Sequence, residues 1–274
     1  MSIQIHHLID DLEQLAPFSL AENWDNVGLL VGNPEASITS ILLGLDPSIQ
    51  LLEEALARGA NTIITHHPII FHPLATILTN SPAGLLLEKA LTHKINIIAC
   101  HTNLDNSANG VSDALAEALG LTHLTPLRPG TIMETGAGRI GSFDPPLPAS
   151  AFMEKLFDVL QLDTIQIAGR LPVQVKTMAL CGGSGSDLAE IALLKGADLY
   201  LSAEIKHSTA RWAEECGFCI IDGTHYGTEK PAMSFLACKL QELTALKNWP
   251  LEFLLSNTEK HPFTCNHKND PYLI

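Results

Sequence analysis

Basic side chains are scarce in this chain: 16 lysines and arginines stand against 30 aspartates and glutamates, a formal charge of −14 over 274 residues. Such a balance repels phosphate backbones instead of releasing their counterions, which disfavours nucleic acid as a partner. A small anionic substrate stays open, because a bound cation pair inverts the local field. Charged residues make up only 17% and hydrophobic ones 46%, which excludes a disordered chain and implies a packed core. Long apolar runs are missing too. None approaches the ~18 residues a membrane span needs. At the N-terminus Asp10, Asp11 and Glu13 interrupt the apolar core an export signal requires. The six cysteines (100, 181, 216, 219, 238 and 265) are scattered, two of them inside apolar runs. That excludes a disulfide scaffold and fits a reducing compartment, so the expected location is the cytoplasm.

What is present is alternation of strands and helices. An amphipathic helix opens the chain, with Ile5, Leu8, Ile9, Leu12 and Leu15 at helical spacing, and Pro17 ends it. Short strands follow in VGLLVG and ITSILLGL. A helix then begins with Asp46 as expected N-cap and Pro47 in its first turn, and Gly59 stops it. The strand NTIITHH, the helix PAGLLLEKALTH, the strand INIIACH and a helix over 110–119 complete this half. The apolar runs do not alternate in polarity, which suits a mostly parallel sheet covered on both faces.

The stretch 121–175 is richer in proline and glycine and reads as loop and strand, then the helix ASAFMEKLFDVL, then the strand TIQIAG. The first pattern then returns. VKTMALCGG, a helix over 186–195, Gly196–Ala197 and DLYLSAEIKH repeat the order of ITSILLGL, its helix, Gly59–Ala60 and NTIITHH. We read an internal duplication. The expected fold is three-layer α/β with two similar halves, 1–126 and 127–256, and a cleft between them. A final helix over 229–246 tolerates Pro231 in its first turn and packs across both halves. The strand LEFLLS closes the fold, and 257–274 is expected to be a flexible tail.

In open α/β sheets, ligands bind beyond the carboxyl ends of the strands. Three segments place metal-ligand side chains there: His66 and His67 after NTIIT, His101 and Asp105 after INIIAC, and His225 and Glu229 after CIIDGT. One histidine at a strand end is more often a surface group than a ligand. Three such segments at equivalent topological positions argue for a site. Nitrogen with carboxylate oxygen suits zinc, iron, manganese, cobalt or nickel better than calcium. Five donors are too many for one catalytic ion with an open position, and fit two ions ~3.5–4 Å apart bridged by a carboxylate and a water.

THHPIIF, HTNLDN and DGTHYGTE, with ENWDNVGLLVG, GGSGSD and SAEIKH, resemble the motifs of the GTP cyclohydrolase type-2 homologue family, also called interacting-factor-three-like. The resemblance runs from about residue 4 to residue 256. It implies that His66, His67, Asp105, His225 and Glu229 hold two divalent ions, with Glu229 bridging, His66 and His225 on one ion and His67 and Asp105 on the other. It also implies two similar halves and a toroidal homohexamer.

Other positions carry weaker signals, each with an ordinary structural alternative. His101 is a ligand, a proton donor supporting the site, or a surface histidine. Glu204 and His207 line the cleft as general base or substrate contact, or merely start a helix. Gly183, Ser184 and Gly185 either cradle a phosphate on backbone amides or form a tight turn. Trp24, Asp25 and Asn26 lie on the cleft rim by their place in the family motif, or cap the opening helix. In the tail, His261, Cys265 and His267 read as incidental.

The function these features suggest is a metal-dependent hydrolase acting on a small molecule such as a nucleotide. Two ions acidify a bridging water, and hydroxide opens a purine ring or cleaves a related amide or phosphoester. The alternative is a non-catalytic metal-binding, metal-delivery or regulatory protein. Cys216 and Cys219 form a C-x-x-C that ends a helix rather than preceding one, so no helix N-terminus lowers a thiol pKa there. The variant Cys216→Ser/Cys219→Ser is therefore expected to keep wild-type activity and metal content, measured side by side by assay and elemental analysis.

Overall fold

The computed structural model describes residues 2–264. Cys265 and His267 lie outside the described residues. In chain order the first elements are α1 (Ile5–Leu15), β1 (Gly28–Val31), β2 (Ile41–Gly44), α2 (Ile49–Ala57), β3 (Thr62–Thr65), α3 (Pro82–Thr92), β4 (Asn96–Ala99), α4 (Thr102–Asn106) and α5 (Val111–Leu119). Then come β5 (Thr122–Pro129), β6 (Gly136–Pro148), α6 (Ala149–Leu160), β7 (Gln166–Ala168), β8 (Gln174–Ser184), α7 (Ala189–Leu194) and β9 (Leu199–Ala203). The last are α8 (His207–Cys216), β10 (Cys219–Asp222), α9 (His225–Leu246) and β11 (Phe253–Leu255).

Two sheets form, in the orders β1-β4-β3-β2-β11 and β5-β6-β8-β9-β10-β7. Each contains three consecutive parallel strands, β2-β3-β4 in one, where β11 adds a fourth beside β2, and β8-β9-β10 in the other. The repeat read from the sequence is thus also a repeat of strand order. Parallel pairing is not general, however. β1 and β7 run antiparallel at their sheet edges, and β5-β6-β8 is antiparallel throughout.

The apolar strands are covered on both faces. Ile41 and Leu43 of β2 pack toward α1 and α9, whereas Leu42 between them packs toward α2 and α3. Likewise Leu199 and Leu201 of β9 join α5 and α6, and Tyr200 turns to the layer of α7 and α8. This is the two-residue alternation of a pleated strand with an apolar layer on each side.

Three local expectations change. Ser48, not Asp46, caps α2, its hydroxyl accepting from Leu51 N at 3.1 Å. α9 begins at His225 rather than 229, with Thr224 as cap, so Pro231 lies inside the helix. Burial of Tyr226, Gly227, Thr228 and Glu229 outweighs the backbone penalty of proline. The closing strand β11 joins the first sheet beside β2, and β5 spans the division expected at residue 126. α9 contacts β2 and β11 of one sheet and β8 and β9 of the other.

The segment after β11 begins as a strap, not a loose tail. Glu54, on α2 and nearly buried, accepts from Ser256 Oγ, Asn257 N and Thr258 Oγ1 at 2.7–2.9 Å and from Arg58 Nη1 at 2.8 Å. Burial opposes its ionisation, but these donors outweigh burial and hold the carboxyl down at about 2, against an ordinary 4.5. Because the folded pKa is depressed, the stabilisation is complete above pH 4.5 and is lost as pH falls toward 2. Glu54→Gln is expected to lower thermal stability at pH 7 by on the order of 2–3 kcal/mol. The gap to wild type should close progressively below pH 4.5 in parallel calorimetric scans.

Candidate metal centre

The carboxyl ends of the two parallel strand triplets meet at one cleft. His66 and His67 follow β3, Cys100 and His101 follow β4, and Glu204 follows β9, while His225 and Glu229 stand on the first turn and a half of α9. Glu229 is at the centre with its side chain 4% exposed. Its Oε1 lies 2.9 Å from His225 Nε2 and 3.6 Å from His66 Nε2, and its Oε2 lies 3.3 Å from His67 Nε2. Asp105 Oδ1 approaches fully buried His66 Nε2 at 3.6 Å. Two donor sets therefore share Glu229: His66 with Asp105, and His67 with His225. The contacts to Glu229 also fit the pairing the family resemblance implied, since its Oε1 faces both His66 and His225 and its Oε2 faces His67, while the Nε2 atoms of His67 and His225 lie 3.3 Å apart.

Each imidazole is oriented from behind. His66 Nδ1 donates to the Cys100 carbonyl at 2.8 Å, and since a carbonyl only accepts, Nδ1 carries hydrogen and Nε2 is left to face the carboxylates. His67 Nδ1 donates to Asp46 Oδ1 and His101 Nδ1 to Asp25 Oδ1, both at 2.8 Å. His225 Nδ1 lies 3.2 Å from Glu204 Oε1. An oxygen behind a histidine ring is how proteins hold metal-binding imidazoles.

The charges conflict unless a cation joins them. Burial pushes Asp105 up to about 7, with Glu229 adding repulsion and His66 opposing both. Burial works against the Glu229 carboxylate as well, yet His66, His225 and His67 hold it well below the usual carboxylate range. Burial lowers His67, but bonding to Asp46 and Glu229 carries it up to about 10. Among the described residues, seven buried side-chain polar atoms have no hydrogen-bond partner. Three of these, His66 Nε2, Asp105 Oδ1 and Glu229 Oε2, belong to this cluster. Orphaned lone pairs and carboxylate oxygens aimed at one point fit divalent cations of the type that takes mixed nitrogen and oxygen donors.

The glycines serve this cluster. Gly183, at φ +63°, runs so close that a Cβ there would sit 2.2 Å from Glu229 Oε1. Its amide donates to Thr228 Oγ1 at 3.0 Å, and the Gly182 amide donates to Ser112 Oγ at 3.3 Å. Those two amides are committed within the protein, whereas Ser184 and Gly185 line the cleft. A Cβ at Gly185 would meet Tyr200 Oη at 2.6 Å, a second packing reason for glycine.

Other expectations resolve as follows. A ring nitrogen of His101 lies within 4.8 Å of the ligating atoms of His66 and His67, so His101 does reach the cluster. Glu204, with left-handed backbone at φ +52°, backs His225. His207 is exposed at the start of α8 and does not line the cleft. Asp25 is buried and accepts from His101, Thr102 N and Thr102 Oγ1, while Asn26 Nδ2 donates to Ile70 O at 2.6 Å. Neither faces the cleft, whereas Trp24 and Ser184 do.

Sequence reasoning missed Asp46 and Glu259. Asp46 follows β2 as His66 follows β3, a positional clue hidden by its suitability as a helix cap. Glu259, in the supposed tail, accepts from Leu45 N and Asp46 N at 2.9 Å each and so fixes the backbone carrying Asp46.

A duplicated α/β fold with a buried histidine–carboxylate cluster that could hold a metal ion in the cleft between two sheets defines the class of protein. The chain belongs to the Duf34/NIF3 (NGG1p interacting factor 3) family, whose model matches residues 3–262. A relative from Clostridium acetobutylicum named GTP cyclohydrolase 1 type 2 homolog is 30% identical over 88% of this chain and 91% of its own. A Streptomyces coelicolor protein of the same name is 30% identical over 98% and 96%. Among solved structures, Staphylococcus aureus hypothetical protein SA1388 superposes with a TM-score of 0.91 at 28% identity, covering 97% of this chain and all of that one. Reduced HcgD from Methanocaldococcus jannaschii gives 0.76 at 28% identity over 94% and 99%.

Loosening a group behind a ligand is expected to cost metal affinity rather than fold. Asp46→Ala and Glu259→Ala should each weaken one bound ion about 10–100-fold, with far-ultraviolet circular dichroism unchanged. Titration against a competing chelator measures this.

Proposed function

We propose that the chain is a hydrolase that holds a pair of divalent ions between its two halves on His66, His67, Asp105 and His225, with Glu229 shared. The observation that carries this reading is the buried Glu229 carboxylate, whose Oε1 faces His66 and His225 and whose Oε2 faces His67. Bound there, iron, zinc, manganese or nickel supplies Lewis acidity and acidifies water near neutral pH.

The chain's own residues do the rest. Cys100 O, Asp46 and Glu204 keep Nε2 of His66, His67 and His225 turned to the centre. Gly183 closes the backbone against Glu229, so no side chain competes for that space. His101, its Nδ1 hydrogen held by Asp25, sits where the cluster opens toward the cleft and is placed to exchange a proton with a bound molecule through its other nitrogen. The cleft offers about 440 Å³, room for a small molecule rather than a polymer. The relatives' name makes guanosine nucleotides the first substrates to test, and amides and phosphoesters the next.

Asp105→Ala and Glu229→Ala are expected to fold and to bind fewer ions than wild type by elemental analysis. The zinc-, manganese- and iron-loaded protein should turn over a member of a panel of guanosine nucleotides, cyclic amides and phosphoesters, with at least a hundredfold loss in Glu229→Ala. Wild-type metal content in both variants would overturn the ligand assignment. A metal-replete protein that turns over nothing and passes its ions to an apo-acceptor would replace the hydrolase with a metal-delivery protein.

A further inference from the structure

Trp24 is 56% exposed and Phe71 is 40% exposed at the mouth of the cleft. Their ring centroids are 5.6 Å apart, and they lie 6.2 and 6.1 Å from the His101 ring. Loose loops do not account for this exposure. Glu22 N donates to Thr102 Oγ1 at 2.9 Å, Asp25 is bonded to His101 and Thr102, and Asn26 Nδ2 ties the same loop to Ile70 O beside Phe71. The two rings are thus held in place by polar tethers on both sides, on the route from solvent to the donor cluster.

The charged groups of the cleft do not favour a ligand led by phosphate. Arg128, the cleft's guanidinium, is bonded to Asp187 at 2.8 Å, and Glu22 and Asp187 add carboxylates to the lining. The exposed apolar surface at the cleft mouth is aromatic, and indole stacks on any conjugated ring without reading its edge.

We infer that Trp24 and Phe71 form a stacking platform for a planar conjugated heterocycle of one or two fused rings, whose edge then reaches past His101 to the Glu229 cluster. This names the substrate class of the site proposed above and rests on that reading for its chemistry, though not for its binding. Trp24 is the principal contact, as it alone of the pair lines the cleft.

The test uses the full zinc-loaded chain and isothermal titration with guanosine, neopterin and ribose 5-phosphate. At least one ring compound should bind about tenfold or more tightly than ribose 5-phosphate. Trp24→Ala should remove about tenfold of that affinity, and Trp24→Phe should retain it within about threefold, with zinc content unchanged in both. Ribose 5-phosphate binding as tightly as both ring compounds overturns the proposal, as does wild-type ring affinity in Trp24→Ala. A Trp24→Ala variant that changes only the mass in light scattering shows a contact between copies instead, and also overturns it. If the rings bind through Trp24 but no substrate turns over, stacking stands and the hydrolase reading falls.

Discussion

The structure depends on one buried carboxylate. Glu229 stays ionised in a place where burial alone would protonate it, because three imidazoles, two from the end of β3 and one from α9, converge on it. An ionised group so deep destabilises a fold unless it is paired. Its pairing draws β3, α9 and, through Asp105, α4 to a common point. The two sheets are therefore joined by electrostatics at the cleft as well as by apolar packing along α9, which touches both.

Around that centre, much of the neighbouring polar structure prevents the imidazoles from turning. A carbonyl, three carboxylates and a glycine too close for any side chain limit where each nitrogen points. Some of this support comes from far along the chain. Glu259 reaches back to the amides of Leu45 and Asp46, and Glu54 keeps the strap in place, so the last described segment belongs to the architecture of the site. Positive φ at Glu204 and Thr224 falls beside His225 on both of its approaches, where strain is tolerated because surrounding contacts fix the backbone.

Local physics made much of this legible. Helical spacing in Ile5, Leu8 and Leu12, and the run ASAFMEKLFDVL, specify helices because their apolar faces have nowhere else to go. Histidines and acids immediately after apolar strands announced donors at strand tips. The errors share a cause: each was a local rule with a competing tertiary use. Asp46 suits a helix cap, yet its carboxylate faces His67 and Ser48 takes the cap. Pro231 suits a first turn, yet burial of Tyr226 and Glu229 begins the helix six residues earlier.

By itself the sequence determined the element types, the repeated order of strand, helix and strand, and the nitrogen–oxygen character of the donors, since all three follow from neighbours a few residues apart. Only the tertiary structure decided which donors share a side of Glu229, which nitrogen of His66 faces inward, that β11 returns to the first sheet, and that Glu259 supports Asp46. Those outcomes turn on atoms brought within 4 Å across scores of intervening residues. There, packing and the cost of an unpaired buried charge choose among arrangements that local propensity leaves equivalent.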